Sequence, residues 1–267
     1  MCGSCVSLIS YKRNIIILTL VYYKYSICTT SYKSATLVAD FLRPFLDLGQ
    51  RTQIVVVDND SKDGTTEKLA KFGDRIKVLS LKCSRGLGRQ RAMEISDGEI
   101  IVNVEFDVEY SGIRNALDYY EKSDKGKIYY FMINGQKCNA SLYIGRRELF
   151  FKTGGFPDLN YAEDLYLNKI AQKLGLFEPV NIDMDIHCLE VSGISSGSEA
   201  RYANTKFKLA MRRLIATRDI LFVNQISYAD LMKKYKLKGA KAIFIGLPEY
   251  LIGKILRFTI KVPKIDA

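Results

Sequence analysis

Residues 53–65 read QIVVVDNDSKDGT, and this stretch decides the fold. Ile54 to Val57 are apolar without interruption, so neither face of the strand is built for water. Such a run fits a strand covered on both faces, as in a parallel sheet. Asp58 follows at the carboxyl end of that strand, where open α/β sheets hold their ligands. The polar residues DNDSKDGT (58–65) carry turn chemistry, and a short helix is expected after them.

Outward from this stretch the same alternation repeats. YSICTT (25–30) reads as a strand, and Ser34 can cap a helix running to about Leu48, with Gly49 stopping it. RIKVLSL (75–81) is a third strand, RGLG (85–88) opens a helix to about Ser96, and EIIVNV (99–104) is a fourth strand. A β-α-β-α-β-α-β rhythm predicts a doubly wound, mostly parallel sheet. KIYYFMI (127–133) and ASLYIG (140–145) read as strands that extend it into a mixed sheet. Glu163–Leu174 reads as a helix closed by Gly175, NIDMDI (181–186) as a strand, and a long basic helix is expected near Glu199–Val223, with two helical stretches beyond. The expected organisation is an extension of unassigned role (1–24), one catalytic domain (25–200) and a basic C-terminal helical region (201–267).

Composition narrows the chemistry. The 267 residues include one His, so a bound metal must lean on carboxylates, and His-rich centres are excluded. The net charge of +11 falls entirely on residues 201–267, which hold 15 basic and 4 acidic residues. A block of that kind calls for an anionic partner surface. Cys2 and Cys5 form a C-x-x-C with no second pair to complete a zinc site, and the other cysteines lie in apolar segments that suit reduced thiols. Ile15–Tyr23 is too short to span a bilayer and lacks a signal-peptide cleavage site. The expected location is the cytoplasm, with a peripheral position on the cytoplasmic face of the membrane.

Two acidic clusters fall at strand ends. Asp58, with Asn59 and Asp60 beside it, ends the second strand, and Glu105-Phe106-Asp107 follows the fourth. Carboxylates converging on one crevice suit a diphosphate ligand bridged by Mg²⁺ or Mn²⁺. Each alone also reads blandly, as an Asx turn or a solvated strand end.

Together the motifs resemble family 2 glycosyltransferases. VVVDNDSKDGT resembles that family's nucleotide-binding turn, and GEIIVNVEFDVEY its Asp-x-Asp segment. CSRGLGRQRAMEISDGE is similar to the helix preceding that segment, and YIGRRELFFKTGGFPDLNYAEDLYLNKIAQKLG to the stretch in which a G-G-F turn precedes a Glu-Asp pair. The resemblance implies a Rossmann-like GT-A fold and inverting transfer from a nucleotide-diphosphate sugar to a glycan or lipid-linked acceptor, through a hydroxyl or a lipid phosphate. It implies that Asp58 binds the nucleotide base, that Asp107 is the principal metal ligand, and that Asp164 of the Glu163-Asp164 pair is the general base. Glu105 departs from the family's Asp, leaving it to touch either ribose or the metal shell. Arg91 departs from the family's Asn. His187 reads equally as a third metal ligand or as a hydrogen-bonded structural residue. Arg85, Arg89 and Arg91 approach the diphosphate in one reading and are solvated helix charges in the favoured one.

Three rival functions remain to be weighed. A nucleotidyltransferase resembles a pattern with a Gly-rich loop after the first strand, where this chain has TTSYKSAT. A non-catalytic nucleotide-sugar-binding protein would be expected to lose Asp107 or Asp164. Nucleic acid is not an expected partner, because the basic tail interleaves Lys with aliphatic residues and matches no recognition module. Wound as a helix, Glu249–Val262 puts Lys254, Arg257 and Lys261 on one face and apolar residues over most of the rest. That pattern predicts interfacial contact with an anionic membrane, or else packing on the catalytic domain or a second subunit.

Overall fold

The computed structural model describes residues 7–11, 14–18, 22–133, 140–189, 206–224, 227–239 and 241–260. A hairpin of β1 (Ser7–Tyr11) and β2 (Asn14–Leu18) lies within the amino-terminal extension. The body is a seven-stranded sheet built from β3 (Tyr25–Ser31), β4 (Thr52–Asp58), β5 (Ile76–Ser80), β6 (Ile100–Asn103), β8 (Ile128–Ile133), β9 (Ser141–Arg146) and β10 (Phe177–Ile182). Its order is β10-β8-β9-β6-β3-β4-β5, and β9 alone runs antiparallel to its neighbours. β7 (Val108–Glu109) and β11 (His187–Cys188) pair separately, beyond the end of β6.

The valine run behaves as its composition demands. Every residue of β4 is buried. Ile54 and Val56 pack with Phe41 and Phe45 of α1 (Val38–Leu46) and Tyr120 of α4 (Ile113–Lys122). Val55 and Val57 face the other layer, with Met93 of α3 (Arg85–Glu94) and Phe150 of α5 (Arg147–Lys152). Successive side chains point to opposite faces, so a strand sandwiched between helix layers is apolar at every position. A short helix, α2 (Thr65–Ala70), follows the turn as expected.

Two boundaries differ from the sequence reading. Ser34 does not cap α1, which begins at Val38; its backbone N–H instead donates to Thr65 Oγ1 at 3.0 Å, tying the loop after β3 to the start of α2. NIDMDI is not the strand: β10 starts at Phe177, in register with Ile128, and ends at Ile182. Glu163–Lys173 forms α6, with Gly175 in the left-handed region at φ +67°, as its place after a helix predicts. The carboxyl-terminal helices are α7 (Lys206–Asn224), α8 (Tyr228–Lys234) and α9 (Leu247–Leu256). The expected helix start at Glu199, and Lys261 and Val262, lie outside the described residues. Leu159 and Ala162, just before α6, cluster with Ile220 and Val223 of α7, so the basic region packs on the body that carries the sheet. Among the described residues no helix is long and apolar enough to cross a membrane.

Candidate active site

The sheet's connections change direction between β3 and β6, and the crevice at the carboxyl ends of these strands is the expected ligand position. A cleft of about 570 Å³ opens there, lined among others by Ser31, Asn59, Arg85, Glu105, Asp107 and Asp164. Ser31, Asn59, Glu105 and Asp164, far apart in sequence, therefore share one space.

Asp58 ends β4 fully buried. Its carboxylate accepts four hydrogen bonds, from Ser31 Oγ and Ser61 Oγ (both 2.8 Å), Ser61 N (2.8 Å) and Thr66 Oγ1 (3.3 Å). These occupy about all the acceptor sites a carboxylate has. Asp58 thus holds the turn together and is not among the residues lining the cleft. Asn59 does line it, with its side-chain oxygen accepting from Cys83 N at 3.0 Å. Asp60 is half-buried, held at φ +50° and paired with Lys62.

Glu105 sits just past β6. Its N–H donates to the Tyr110 hydroxyl (3.1 Å), which in turn donates to the Ser141 carbonyl (3.0 Å). Its carboxylate accepts from Ser141 Oγ at 2.8 Å and meets Arg89 Nη2 at 3.3 Å. Burial pushes this carboxyl upward from its usual pKa, Arg89 pulls it back, and the neighbouring charge of Asp107 adds to the rise. Asp107 lines the cleft, and its carbonyl accepts from Leu189 N, which fastens β11 beside it.

Arg89 is the largest departure from the sequence reading. It is not a solvated helix charge: it is 2% exposed and lies between Glu105 and Glu163, 3.3 and 3.7 Å away. Burial opposes its charge, but Glu163 and Glu105 outweigh that and raise its pKa. Arg85 lies one turn earlier on the same face of α3 and grips Glu163 through Nε (2.5 Å) and Nη2 (3.0 Å). Arg91 points elsewhere and pairs with Glu94. Glycine makes this approach possible. A Cβ on Gly86 would lie 2.0 Å from the Pro157 carbonyl, and Gly86 N donates to the Leu159 carbonyl at 2.8 Å.

The Glu163-Asp164 pair splits between two environments. Glu163 is 1% exposed and held by Arg85 and Arg89, so it does not reach the cleft as expected of a catalytic group. Asp164, next on the helix, lines the cleft. Ala162 precedes them at φ +60°, a conformation that costs a non-glycine residue about 1 kcal/mol or more. Asp219 of α7, which the sequence reading missed, fixes this turn. Its carboxylate accepts from Asn160 N (2.9 Å) and Tyr161 N (3.1 Å) and pairs with Arg218. The one available signal was its place as the sole acid in the basic stretch 206–224.

His187 is 60% exposed and 3.3 Å from Asp185, whereas its neighbour Cys188 lines the cleft. Strand alternation turns the imidazole away, so this placement lends no support to a third metal ligand. Cys188 is disulfide-bonded, in contrast to the reduced thiols expected, while Cys28 and Cys83 are free. No cluster of three or more His, Cys, Asp or Glu side chains suited to a metal occurs among the described residues. The oxygen donors of Asp107 and Glu105 nevertheless fit Mg²⁺ or Mn²⁺, which are commonly held by one or two carboxylates plus substrate phosphates.

The family model described as Glycosyl transferase family 2 matches residues 26–172. No curated protein sequence matches the chain significantly. Among solved structures, S. aureus TarS 1-349 in complex with UDP-GlcNAc aligns with a TM-score of 0.58 and 16% identity, over 86% of this chain and 79% of that one. The mannosyltransferase PcManGT from Pyrobaculum calidifontis, in complex with GDP-Man and Mn²⁺, gives 0.53 and 15%, over 88% and 74%. Against the longer structure of S. aureus TarS the TM-score is 0.52 at 17% identity, over 85% of this chain but only 43% of that one. The mostly parallel sheet with flanking helices is common to this chain and these GT-A structures.

Proposed function

Since the chain belongs to glycosyl transferase family 2, we propose that it transfers a sugar, with inversion, from a nucleotide-diphosphate donor to an acceptor hydroxyl, with Asp164 as general base and a divalent cation at the diphosphate. Family membership makes it a glycosyltransferase and displaces the nucleotidyltransferase and non-catalytic readings. The supporting observation is that Asp107, Glu105, Arg85 and Asp164 line a single cleft at the switch point of the sheet.

Mg²⁺ or Mn²⁺, when bound, supplies positive charge to the leaving diphosphate. Asp107 and Glu105 would hold it, and Arg85 adds a fixed cation at the same cleft. Asn59 and Ser31 line the side on which the nucleotide would lie. Asp164 accepts the acceptor's hydroxyl proton as that oxygen attacks the anomeric carbon. Glu163 contributes by position: its pairing with Arg85 and Arg89 ties the start of α6 to α3. The donor nucleotides printed for TarS and PcManGT make UDP- and GDP-sugars the first to try.

The same reading sets the C-terminal region against an anionic membrane surface and makes a lipid-linked acceptor suitable. Phe244, Ile255 and Phe258 are 79%, 70% and 79% exposed, close in sequence to Lys233, Lys234, Lys236, Lys238 and Lys241. α9 meets α7 through Gly253, whose missing side chain lets Thr217 approach, and this leaves Leu251, Ile252 and Ile255 outward. Exposed apolar residues and lysines on one C-terminal segment suit interfacial binding.

The test is incubation with a panel of nucleotide sugars and Mg²⁺ or Mn²⁺, with detection of nucleoside diphosphate. Release with at least one donor, lost in Asp164→Asn, is expected; no release from any donor with a broad acceptor extract would refute the proposal.

A further inference from the structure

A second cleft of about 590 Å³ adjoins the first, and Tyr161, Asp164 and Arg212 border both. The proposed base therefore stands at a junction: on one side lies the donor cleft, on the other a space bounded by α6, α7 and the end of α8. An acceptor must bring its hydroxyl to Asp164 without occupying the donor's place, and this second space, which Asp164 also borders, permits it.

The chemistry of its wall is specific. Arg213 is committed to Glu249 at 2.7 Å, and the Tyr235 hydroxyl lies 3.1 Å from that of Thr217, so these residues build the wall. Arg212 donates through Nε to the Tyr161 hydroxyl at 2.9 Å, holding its guanidinium beside the junction. Lys234 and Lys236 also line the space and have no carboxylate partner among the described residues. Lys236 stands at φ +54°, just past α8, where Leu237 N bonds the Met232 carbonyl and Lys236 N the Lys233 carbonyl. This helix-ending geometry ordinarily takes glycine. A lysine there accepts backbone strain while adding a cation to the cleft.

We propose that this second cleft is the acceptor subsite and that it takes an acceptor carrying a phosphate-class anion beside the attacking hydroxyl. The proposal rests on Asp164 being the general base. Lys234, Lys236 and Arg212 hold the anion as point charge and fork. The acceptor oxygen bonds to the anomeric carbon, the bond from that carbon to the diphosphate oxygen breaks with its electron pair leaving on the diphosphate, and the hydroxyl proton passes to Asp164.

The test uses the full-length chain and two probes: sn-glycerol 3-phosphate, against glycerol, and phosphatidylglycerol nanodiscs, against phosphatidylcholine nanodiscs. Binding to the first identifies a soluble phosphate as sufficient, and binding to the second alone identifies a lipid headgroup. Either result supports the proposal if K234Q/K236G weakens that binding about tenfold or more, the loss of two nearby charges, while K233Q/K238Q, which removes the same charge outside the cleft, leaves it within about twofold. Equal weakening by the two variants assigns the binding to the surface and overturns the inference. The glycine relieves the left-handed backbone, so the melting temperature of the variant should hold or rise, which separates lost binding from lost folding. Binding unchanged within twofold in the variant, or no preference for either anionic probe over its neutral counterpart, would overturn the inference. Nucleoside-diphosphate binding across the donor panel, measured with Mg²⁺ or Mn²⁺ and without either probe, reports on the donor cleft; its absence for every nucleotide in the wild-type chain would count against the proposed donor site instead.

Discussion

Replacing Arg89 by Met tests the core of the site. The change keeps much of the side chain's apolar stem and removes the guanidinium. That group lies 3.7 Å from Glu163 and 3.3 Å from Glu105, with only 2% of the residue exposed. Without it, Glu163 remains 1% exposed with Arg85 as its cation, and Glu105 keeps the Ser141 hydroxyl. Removing one partner of a buried pair typically costs about 3–5 kcal/mol, because the other charge stays desolvated. Arg85 shares the load, so the lower end, about 3 kcal/mol, is expected; that is a factor of more than a hundred in the unfolding equilibrium. Urea unfolding should show the midpoint falling with an unchanged slope. Adding Glu163→Gln removes the stranded charge, so the double variant should recover about 1–2 kcal/mol relative to simple addition of the two losses. A loss under about 1 kcal/mol for Arg89→Met, or strict additivity of the pair, would refute the network as described.

Asp164→Asn should lower turnover at least a hundredfold while calorimetry finds donor affinity nearly intact, since the lost group acts on the acceptor proton; a parallel fall in donor affinity would reassign Asp164 to the donor site. Asp107→Asn, or EDTA treatment of the native chain, should weaken donor binding and turnover together. Wild-type turnover by that variant without added metal would contradict the metal-assisted mechanism. Full-length protein should sediment with anionic liposomes at low salt and less at high salt, and a truncation after Gly239 should remain in the supernatant; full-length protein left in the supernatant at low salt would count against membrane contact. Burial pushes the Cys28 thiol up to about 12, with a Ser96 hydrogen bond partly opposing it, and burial aided by Asp158 pushes Cys83 up to about 11. Raised values mean little thiolate below them, roughly one part in a thousand for Cys83 at pH 8. Alkylation by iodoacetamide, followed by mass spectrometry, should be slow in the folded chain and fast in denaturant; equal rates would contradict the burial.

The strand-end side of the cleft was legible because its signals are local. A four-residue apolar run followed by a turn places Asp58 at a strand end, and that needs no knowledge of distant partners. The same logic placed Glu105 and Asp107. It failed where the environment is made by residues far along the chain. Arg89 looked solvated because a helix rich in charge carries no mark of which side faces the sheet. The glycines at 86 and 88 were the overlooked clue, since small residues let a helix approach closely and bury what stands beside them. Asp58 was read as a ligand for the base, but Ser61 and Thr66 of its own turn region and Ser31 of β3 take up its oxygens. Glu163 and Asp164 were indistinguishable as neighbours until α3 supplied two arginines for one of them. The β10 strand was displaced by four residues because its edge position relaxes the apolar pattern, exposing Glu178 and Pro179.

The bond from Asp219 to the backbone of Asn160 and Tyr161 has a consequence for how this enzyme can be divided. The amide groups that set the entry to α6 find their acceptor on α7, beyond residue 200. A fragment ending at residue 200 would keep the whole sheet and still lose the clamp behind Asp164. The helix that carries the clamp also carries Arg212, on the wall of the second cleft. On the proposed roles, recognition of the acceptor and alignment of the base are both mounted on α7, whereas the donor side is mounted on the sheet. Exchanging acceptor preference between relatives would therefore require moving α7 and the 158–162 loop as one unit, with the donor half left in place.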